Sequence, residues 1–335
     1  SAMFRIVLPP PEISTARRMV SVVFMADMMS ERRAMSNERT RLAPSPTGAL
    51  HLGNARTFLV NWALARQRGW RIVLRVEDLD GPRVKPGAAE QAIDILGWLG
   101  LDWDDGPTFQ LRDLSPYEQA LDVLRATGMI YPCRCTRKEI EAAQSAPHEE
   151  DHELRYPGTC RPAEGGAANR EPSEEPDAAW RLIAPDEPIS FDDAFAGPQS
   201  MNVQQTTGDF VVATKAGLPA YQLAVVVDDA RQGITQVVRG DDLLGSTPRQ
   251  LLLYDRLGLS PRPTYTHLPL VRGEDGRRLA KRHGDTRIDT YRKIGVVPQR
   301  IVGLLAEWCG LGPRREMSAA EFARRFDLAR LPRRL

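Results

Sequence analysis

Residues 41 to 54 read Arg41-Leu42-Ala43-Pro44-Ser45-Pro46-Thr47-Gly48-Ala49-Leu50-His51-Leu52-Gly53-Asn54. Thr40 to Ala43 spells a short strand, two prolines break it, and Leu52 to Arg68 carries helical spacing with no proline. Strand, tight loop and helix in that order suit a polyphosphate. Gly48 and Gly53 let backbone approach a ligand, the start of the helix offers unpaired N–H groups, and His51 can donate to a phosphate oxygen or to developing charge. The prolines stiffen the loop beforehand. A proline-rich turn capped by a histidine accounts for a lone His-x-Gly, but not for the whole string.

Outward from this element the alternation continues. Arg71 to Val76 reads as a second strand ending in Glu77-Asp78, and Gly87 to Leu99 as a second helix, an order that favours a parallel sheet. Ser115 to Thr127 reads as a third helix, capped by Ser115 with Pro116 at its first position and Glu118 three residues on. Further along, Trp180 to Ile183, Phe210 to Ala213, Leu223 to Val227 and Ile234 to Val238 read as strands and Thr247 to Leu257 as a helix. Pro298 to Cys309 and Ala319 to Phe326 look helical and Arg-rich, and no internal repeat is visible.

The 335 residues suffice for one large domain with an insertion or for two domains of ordinary size. At 42% hydrophobic and 27% charged residues the composition is that of a soluble globular protein, and no apolar run reaches the ~20 residues that span a bilayer. Membrane proteins are thereby set aside. The 45 basic residues are balanced by 44 acidic ones, so charge alone is silent about a nucleic-acid partner. Residues 1 to 38, with Pro9 to Pro11 in a row and Met35 as a candidate start, are expected to lie outside the fold; Asp27 interrupts the apolar stretch that a signal peptide would need.

Four cysteines, three of them between Cys133 and Cys160, suggest a local metal or thiol site in a reducing cytoplasm and not a disulfide framework. Cys133 and Cys135, two residues apart, together with Cys160 suit tetrahedral zinc and leave a fourth ligand to be found. From about Ala142 to Pro176 the composition turns to Glu, Pro, Gly and Ala, which suggests loops held by something other than an apolar core. A metal accounts for that.

The opening string resembles the first signature of class I aminoacyl-tRNA synthetases of the glutamyl and glutaminyl branch. Arg75-Val76-Glu77-Asp78-Leu79-Asp80, Tyr221-Gln222-Leu223-Ala224, Val227-Asp228-Asp229, Val238-Arg239-Gly240-Asp241-Asp242-Leu243 and Thr247-Pro248-Arg249-Gln250 resemble further blocks of that branch, in the same order. The resemblance runs from about Thr40 to Leu305. It implies an α/β fold: a Rossmann-like parallel sheet with an inserted zinc-binding, acceptor-type subdomain and a short helical C-terminal part. The implied bounds are 39–132 and 207–270 for the catalytic halves, 133–206 for the insertion and 271–335 for the lysine loop and helical region.

The resemblance also implies residue roles. His51 and Lys281 would be catalytic, and Pro44, Gly48, His51, Gly53, Asn54 and Lys281 would hold ATP, with Mg2+ bridging its phosphates. Arg41, Ala43, Ser45, Glu77, Tyr221 and Arg239 would hold L-glutamate. The chemistry agrees, because a carboxylate side chain needs a cation such as Arg41 and an ammonium needs an anion such as Glu77. Lys281 stands in Arg278-Leu279-Ala280-Lys281-Arg282, which resembles the lysine-bearing second signature, with Ala280 in place of its usual serine and Arg278 in place of its first lysine.

The cysteine spacing resembles the zinc site of glutamyl-queuosine tRNA(Asp) synthetases, in which a tyrosine takes part. That makes Tyr156 the implied fourth ligand to Zn2+ beside Cys133, Cys135 and Cys160, while His148 and His152 are the more ordinary zinc ligands nearby. Arg282 to Leu335 leave no room for an anticodon-binding domain of normal size. The resemblance therefore implies a cytoplasmic, monomeric ligase. It would activate glutamate with ATP without tRNA and transfer it to queuosine in the anticodon loop of tRNA(Asp). The alternatives are a truncated glutamyl-tRNA synthetase charging tRNA(Glu) and a non-catalytic paralogue that binds tRNA or amino acid.

Overall fold

The structure is a computed structural model and describes residues 37–142, 154–163, 177–271 and 286–333. Lys281 with its segment 278–282, His148, His152 and residues 1–36 lie outside the described residues. In chain order the elements are β1 (Arg39–Leu42), α1 (Leu52–Arg68), β2 (Arg71–Val76), α2 (Ala88–Trp98), β3 (Asp105–Phe109), α3 (Ser115–Ala126), β4 (Ile130–Cys133), α4 (Arg137–Ala142), β5 (Ala179–Leu182), β6 (Pro188–Asp193) and β7 (Gly197–Asn202). There follow α5 (Val203–Thr206), β8 (Phe210–Ala213), α6 (Tyr221–Arg231), β9 (Gln236–Gly240), α7 (Thr247–Leu257), β10 (Thr264–Leu268), α8 (Ile288–Lys293), α9 (Pro298–Trp308) and α10 (Ala319–Arg325).

β1 pairs with β2 and β2 with β3, all parallel, and β9, β10 and β6 form a second parallel set. The two sets meet edge to edge: Thr235 N donates to Arg39 O at 2.9 Å, and Arg39 N donates to Thr235 Oγ1 at 3.0 Å. The chain thus leaves β1 in one direction along the sheet and builds from β9 in the other. At such a reversal the connections after neighbouring strands diverge and open a crevice at their C-terminal ends. The residues after β1 and at the end of β9 are those that sequence reading assigned to substrate.

The hairpin of β6 and β7 closes this sheet antiparallel, with β6 beside β10, so residues 188–202 of the segment read as an insertion pair with the same sheet as β9. β4, β5 and β8 form a separate antiparallel sheet. It packs with α3, α6 and α7 around Tyr117, Leu124, Leu182, Val212, Leu223 and Leu253. A larger core gathers α1, the strands β1 and β2, α2, α9 and α10 around Leu42, Leu59, Ile72, Leu96, Leu305 and Phe322. The C-terminal helices are tied to α1 by Gln67, whose Nε2 donates to Ala323 O at 2.6 Å and Phe326 O at 2.7 Å. No helix among the described residues is long and apolar enough to cross a membrane.

Helix α1 spans the residues its spacing predicts. His51 caps its start, and Gly69, left-handed with φ of 71°, returns its N–H to Ala65 O at its end. Three expectations are corrected. Leu223 to Val227 is not a strand but the middle of α6, where Gln222 through Asp229 are all buried. A helix enclosed on every side shows a continuous apolar run, and β-branched valines tilt such a run toward a strand reading. Ser115 is not the cap of α3 but its first helical residue; Leu114 holds the cap position and Asp113 Oδ1 accepts the Ser115 N–H at 3.2 Å. The strand expected over Ile234 to Val238 lies two residues later, because Thr235 is taken up by the contact with Arg39.

Candidate active site and cysteine cluster

A cleft of ≈ 400 Å³ opens where β1 and β9 end, lined by Arg41, Ala43, Ser45, His51, Gly53, Asn54, Glu77, Tyr221 and Arg239 among others. Six expected glutamate-binding residues and three of the expected ATP-binding residues therefore converge on one surface. Two others do not line it. Pro44 is buried, and its carbonyl accepts the Glu77 N–H at 3.0 Å, so it places Glu77. A Cβ on Gly48 would meet nothing within 4 Å.

His51 Nδ1 accepts the Asn54 N–H at 3.3 Å. An accepting Nδ1 carries no proton, so in the neutral ring the hydrogen sits on Nε2 and is available as a donor. The capping role and the phosphate-donor role therefore belong to opposite edges of the same ring. Gly53 serves this ring: a Cβ there would stand 3.1 Å from His51 Cε1. The backbone of His51 bridges Arg287, Leu52 N donates to Thr286 O at 2.9 Å, and Arg56 Nη1 donates to Pro269 O at 2.8 Å. The start of α1 thus holds the chain on both sides of residues 272–285, the segment that contains Lys281.

Beneath the cleft lies an ion network that sequence reading did not assign. Arg75, about 1% exposed, donates from Nη2 to Glu77 Oε1 at 3.0 Å and from Nη1 to Asp229 Oδ1 at 2.8 Å and Gln232 Oε1 at 2.9 Å. Arg41 Nε lies 3.4 Å from the same Asp229 oxygen. Asp228 accepts from Tyr117 Oη at 2.9 Å and from Gln110 Nε2 at 2.8 Å. Burial opposes the Arg75 charge, but Asp229, Glu77 and Asp228 together outweigh it and hold the guanidinium protonated well above its ordinary range. Burial also raises the Glu77 carboxyl above its ordinary value, against the pull of Arg75 and Arg41. Tyr221, Asp228 and Asp229 share one face of α6, seven and eight residues apart, which is how one helix serves both cleft and network. The signal in the sequence was an arginine inside an otherwise apolar strand, Ile72-Val73-Leu74-Arg75-Val76.

Arg239 at the end of β9 is fixed from behind: Nε donates to His267 Nε2 at 3.0 Å, Nη1 to Gln250 Oε1 at 2.8 Å and Nη2 to Thr247 Oγ1 at 2.8 Å. Among the charged residues lining the cleft, which include Arg56 and Asp242, the two cations Arg41 and Arg239 and the anion Glu77 are those expected to hold the amino acid. That combination matches a zwitterion with a second carboxylate.

The three cysteines expected as ligands do meet. Their Sγ atoms lie within 4.8 Å of one another, and Cys135 Sγ is 3.5 Å from Cys160 Sγ. Tyr156 Oη stands 3.4 Å from Cys133 Sγ and 3.9 Å from Cys135 Sγ, and it accepts the Cys160 N–H at 2.8 Å. Four donors around a tetrahedral zinc with bonds of about 2.3 Å to sulfur are spaced by about 3.8 Å, so this set fits such an ion. Gly208 makes room for the tyrosine: its φ is +71°, and a Cβ there would stand 2.3 Å from Tyr156 O. Burial pushes the Cys135 thiol up to about 11, so binding a cation here releases protons.

Arg181 was missed. Its Nε donates to Cys133 Sγ at 3.2 Å and its guanidinium lies 3.8 Å over the Tyr156 ring, which favours negative charge on both. The fourth cysteine, Cys309, packs apart from these in the core of α1, α9 and α10.

Residues 38–334 match the family described as tRNA synthetases class I (E and Q), catalytic domain. The chain is 48% identical over 298 residues to a Glutamyl-Q tRNA(Asp) synthetase from Rhodopirellula baltica, covering 86% of this chain and 89% of that one. It is 41% identical over 272 residues to a Glutamate--tRNA ligase from Geobacter sulfurreducens, covering 81% of this chain but 57% of that one. Among solved structures, a glutamate tRNA ligase from Elizabethkingia meningosepticum in complex with its amino acid has a TM-score of 0.73 at 27% identity, covering 89% of this chain and 67% of that one.

Proposed function

The chain belongs to the class I tRNA synthetases of the glutamate and glutamine branch, and from that premise we propose that it joins L-glutamate to queuosine in the anticodon of tRNA(Asp). The observation that carries this reading is the likeness, at 48% identity over 89% of its length, to a relative bearing that name. The cleft supplies the chemistry.

Arg41 and Arg239 would receive the side-chain carboxylate of glutamate and Glu77 its ammonium, leaving the α-carboxylate directed toward the nucleotide. An oxygen of that carboxylate attacks the α-phosphorus of ATP, a P–O bond to the leaving group breaks, and pyrophosphate departs. His51 through Nε2–H, the N–H groups at the start of α1 and Lys281 would stabilise charge on the phosphates, which is electrostatic positioning and not proton transfer. Mg2+ supplies further neutralisation of the phosphate oxygens when bound. In the second step a hydroxyl of the queuosine diol attacks the acyl carbon of glutamyl-adenylate, loses its proton, and AMP leaves, so that an ester remains.

Cys133, Cys135, Cys160 and Tyr156 would hold Zn2+, whose part is to tie together backbone that has little apolar core. The small cluster of Tyr131, Cys133 and Tyr156 supports that role. Reduced thiols serving as ligands would suit a cytoplasmic location.

Two assays test the reading. Purified protein is expected to catalyse glutamate-dependent ATP–pyrophosphate exchange with no tRNA present. It is then expected to esterify queuosine-containing tRNA(Asp) and to leave queuosine-free tRNA(Asp) and tRNA(Glu) unlabelled. Charging of tRNA(Glu) instead identifies a glutamyl-tRNA synthetase; exchange without tRNA excludes a non-catalytic paralogue, and its absence at high enzyme concentration overturns the reading.

A further inference from the structure

Arg239 reaches the cleft as a long cation, and behind it stands a chain of buried groups joined by hydrogen bonds. Its Nε–H donates to His267 Nε2 at 3.0 Å, so that nitrogen is an acceptor and the ring proton sits on Nδ1. Nδ1 lies 2.6 Å from Asp193 Oδ2 and donates to it. Asp193 also accepts the N–H groups of Phe195 at 3.0 Å, Ala196 at 2.7 Å and His267 at 3.1 Å. Both side chains are 0% exposed.

The placement comes from three neighbouring strands. The β10–β9 register sets His267 opposite Arg239, and Asp193 pairs with Tyr265, the residue two before His267. Asp193 ends β6, and the amides it accepts belong to the turn that begins β7, so its carboxylate cannot shift without opening the hairpin. On the other side, Arg239 Nη1 donates to Gln250 Oε1, Gln250 Nε2 donates to Gln222 Oε1 at 2.9 Å, and Gln222 Nε2 donates to Ser246 Oγ at 3.1 Å. Arg239 Nη2 donates to both Thr247 Oγ1 at 2.8 Å and Leu243 O at 3.3 Å. Of the five N–H donors of a guanidinium, these contacts occupy four, and the fifth, on Nη1, is left for the cleft that Arg239 lines.

We infer that Asp193 and His267 are positioning residues of this enzyme. Asp193 fixes the His267 tautomer, His267 fixes the plane of the Arg239 guanidinium, and Arg239 therefore offers glutamate one N–H in one orientation. The opposite tautomer would set N–H against N–H at Nε, and a rotated guanidinium would lose its donor to the cleft. Neither Asp193 nor His267 lines that cleft; His267 reaches it through Arg239, directly and by way of Thr247, whose Oγ1 lies 3.3 Å from His267 Nε2 and accepts from Arg239 Nη2. The inference rests on the reading that Arg239 binds the substrate glutamate.

The test uses the full chain in ATP–pyrophosphate exchange without tRNA, with wild type, His267→Gln, Asp193→Asn, Arg239→Lys and the His267→Gln/Arg239→Lys double variant. Expected for His267→Gln and Asp193→Asn is a rise in the KM for glutamate of about tenfold, the scale of one charge-assisted hydrogen bond, with the KM for ATP within about twofold of wild type. In the Arg239→Lys background, His267→Gln is expected to add less than about twofold. Unchanged glutamate KM in both single variants overturns the inference, as do equal rises for glutamate and ATP, or effects that multiply fully in the double variant. If wild type itself exchanges no pyrophosphate, the activation reading falls and this inference with it; wild-type exchange with unaltered glutamate KM in the variants removes this inference alone. A loss of thermal stability without a glutamate-specific KM change assigns the pair a merely structural role and likewise overturns it.

Discussion

Gly53 lies directly under the His51 ring: a Cβ added at Gly53 would stand 3.1 Å from Cε1 and 3.2 Å from Nδ1. The imidazole fills the space that any other residue would claim, and its distance to the Asn54 amide depends on that space.

Gly53→Ala sets two effects against each other. Alanine inside a helix favours folding by about 1 kcal/mol over glycine, whereas the methyl pushes the His51 ring off its position. The expected result is a urea midpoint no lower than wild type with exchange kcat reduced on the order of tenfold, and a reduction on the order of 10² for His51→Ala. A variant that loses stability and keeps its kcat contradicts this account of Gly53.

Arg75 is the hub of the buried charges, bonded to Glu77, Asp229 and Gln232. Arg75→Met leaves the carboxylates around it without their main cation, and breaking a buried pair in this way costs about 3 to 5 kcal/mol. Urea unfolding followed by circular dichroism should show a loss of that order. A loss below about 1 kcal/mol would mean that water reaches the network.

Glu77 is raised by burial more than Arg75 and Arg41 lower it. If its carboxylate holds the glutamate ammonium, kcat/KM for glutamate must fall as pH drops through this raised value. The acid limb should then lie above the ordinary value of a glutamate side chain. Glu77→Gln should remove this limb and raise the glutamate KM by about 10- to 100-fold, the loss of one charge-assisted contact. An acid limb that survives in Glu77→Gln assigns it to another group.

The cysteine cluster makes a prediction independent of activity. One zinc per chain is expected by elemental analysis, and stripping it should lower the melting temperature by several degrees, because the ion's binding free energy is coupled to folding. Cys160→Ser should release the ion under mild chelation, and Tyr156→Phe should weaken binding while the three thiolates still hold it. Equal melting curves for stripped and reloaded protein would count against a structural zinc.

How much was legible in the sequence depended on how local each feature was. Helix α1 spans the expected residues because apolar spacing, a capping histidine and a terminal glycine all act within a few residues of the chain. The cysteines were legible for a similar reason: a two-residue offset places two thiols side by side whatever the rest of the fold does. Leu223 to Val227 was misread because its apolar run reports burial on all sides, and burial alone does not distinguish a helix from a strand. Arg181 was not legible, since nothing in Trp180-Arg181-Leu182 says that a sulfur and a tyrosine ring lie against it.

By itself the sequence determined the strand, loop and helix that build the phosphate end of the cleft, the thiols of the cluster and the ordered blocks that mark the branch. Each rests on short-range chemistry or on order along the chain. Only the tertiary structure decided what surrounds them. Arg75 meets Asp229 across 154 residues, His267 meets Asp193 across 74, and Arg239 meets His267 across 28. Such pairs exist only once β1 and β9 abut and β6, β10 and β9 align in register. The orientation of Arg239, and with it the shape of the glutamate pocket, is therefore a property of the sheet and not of any segment within it.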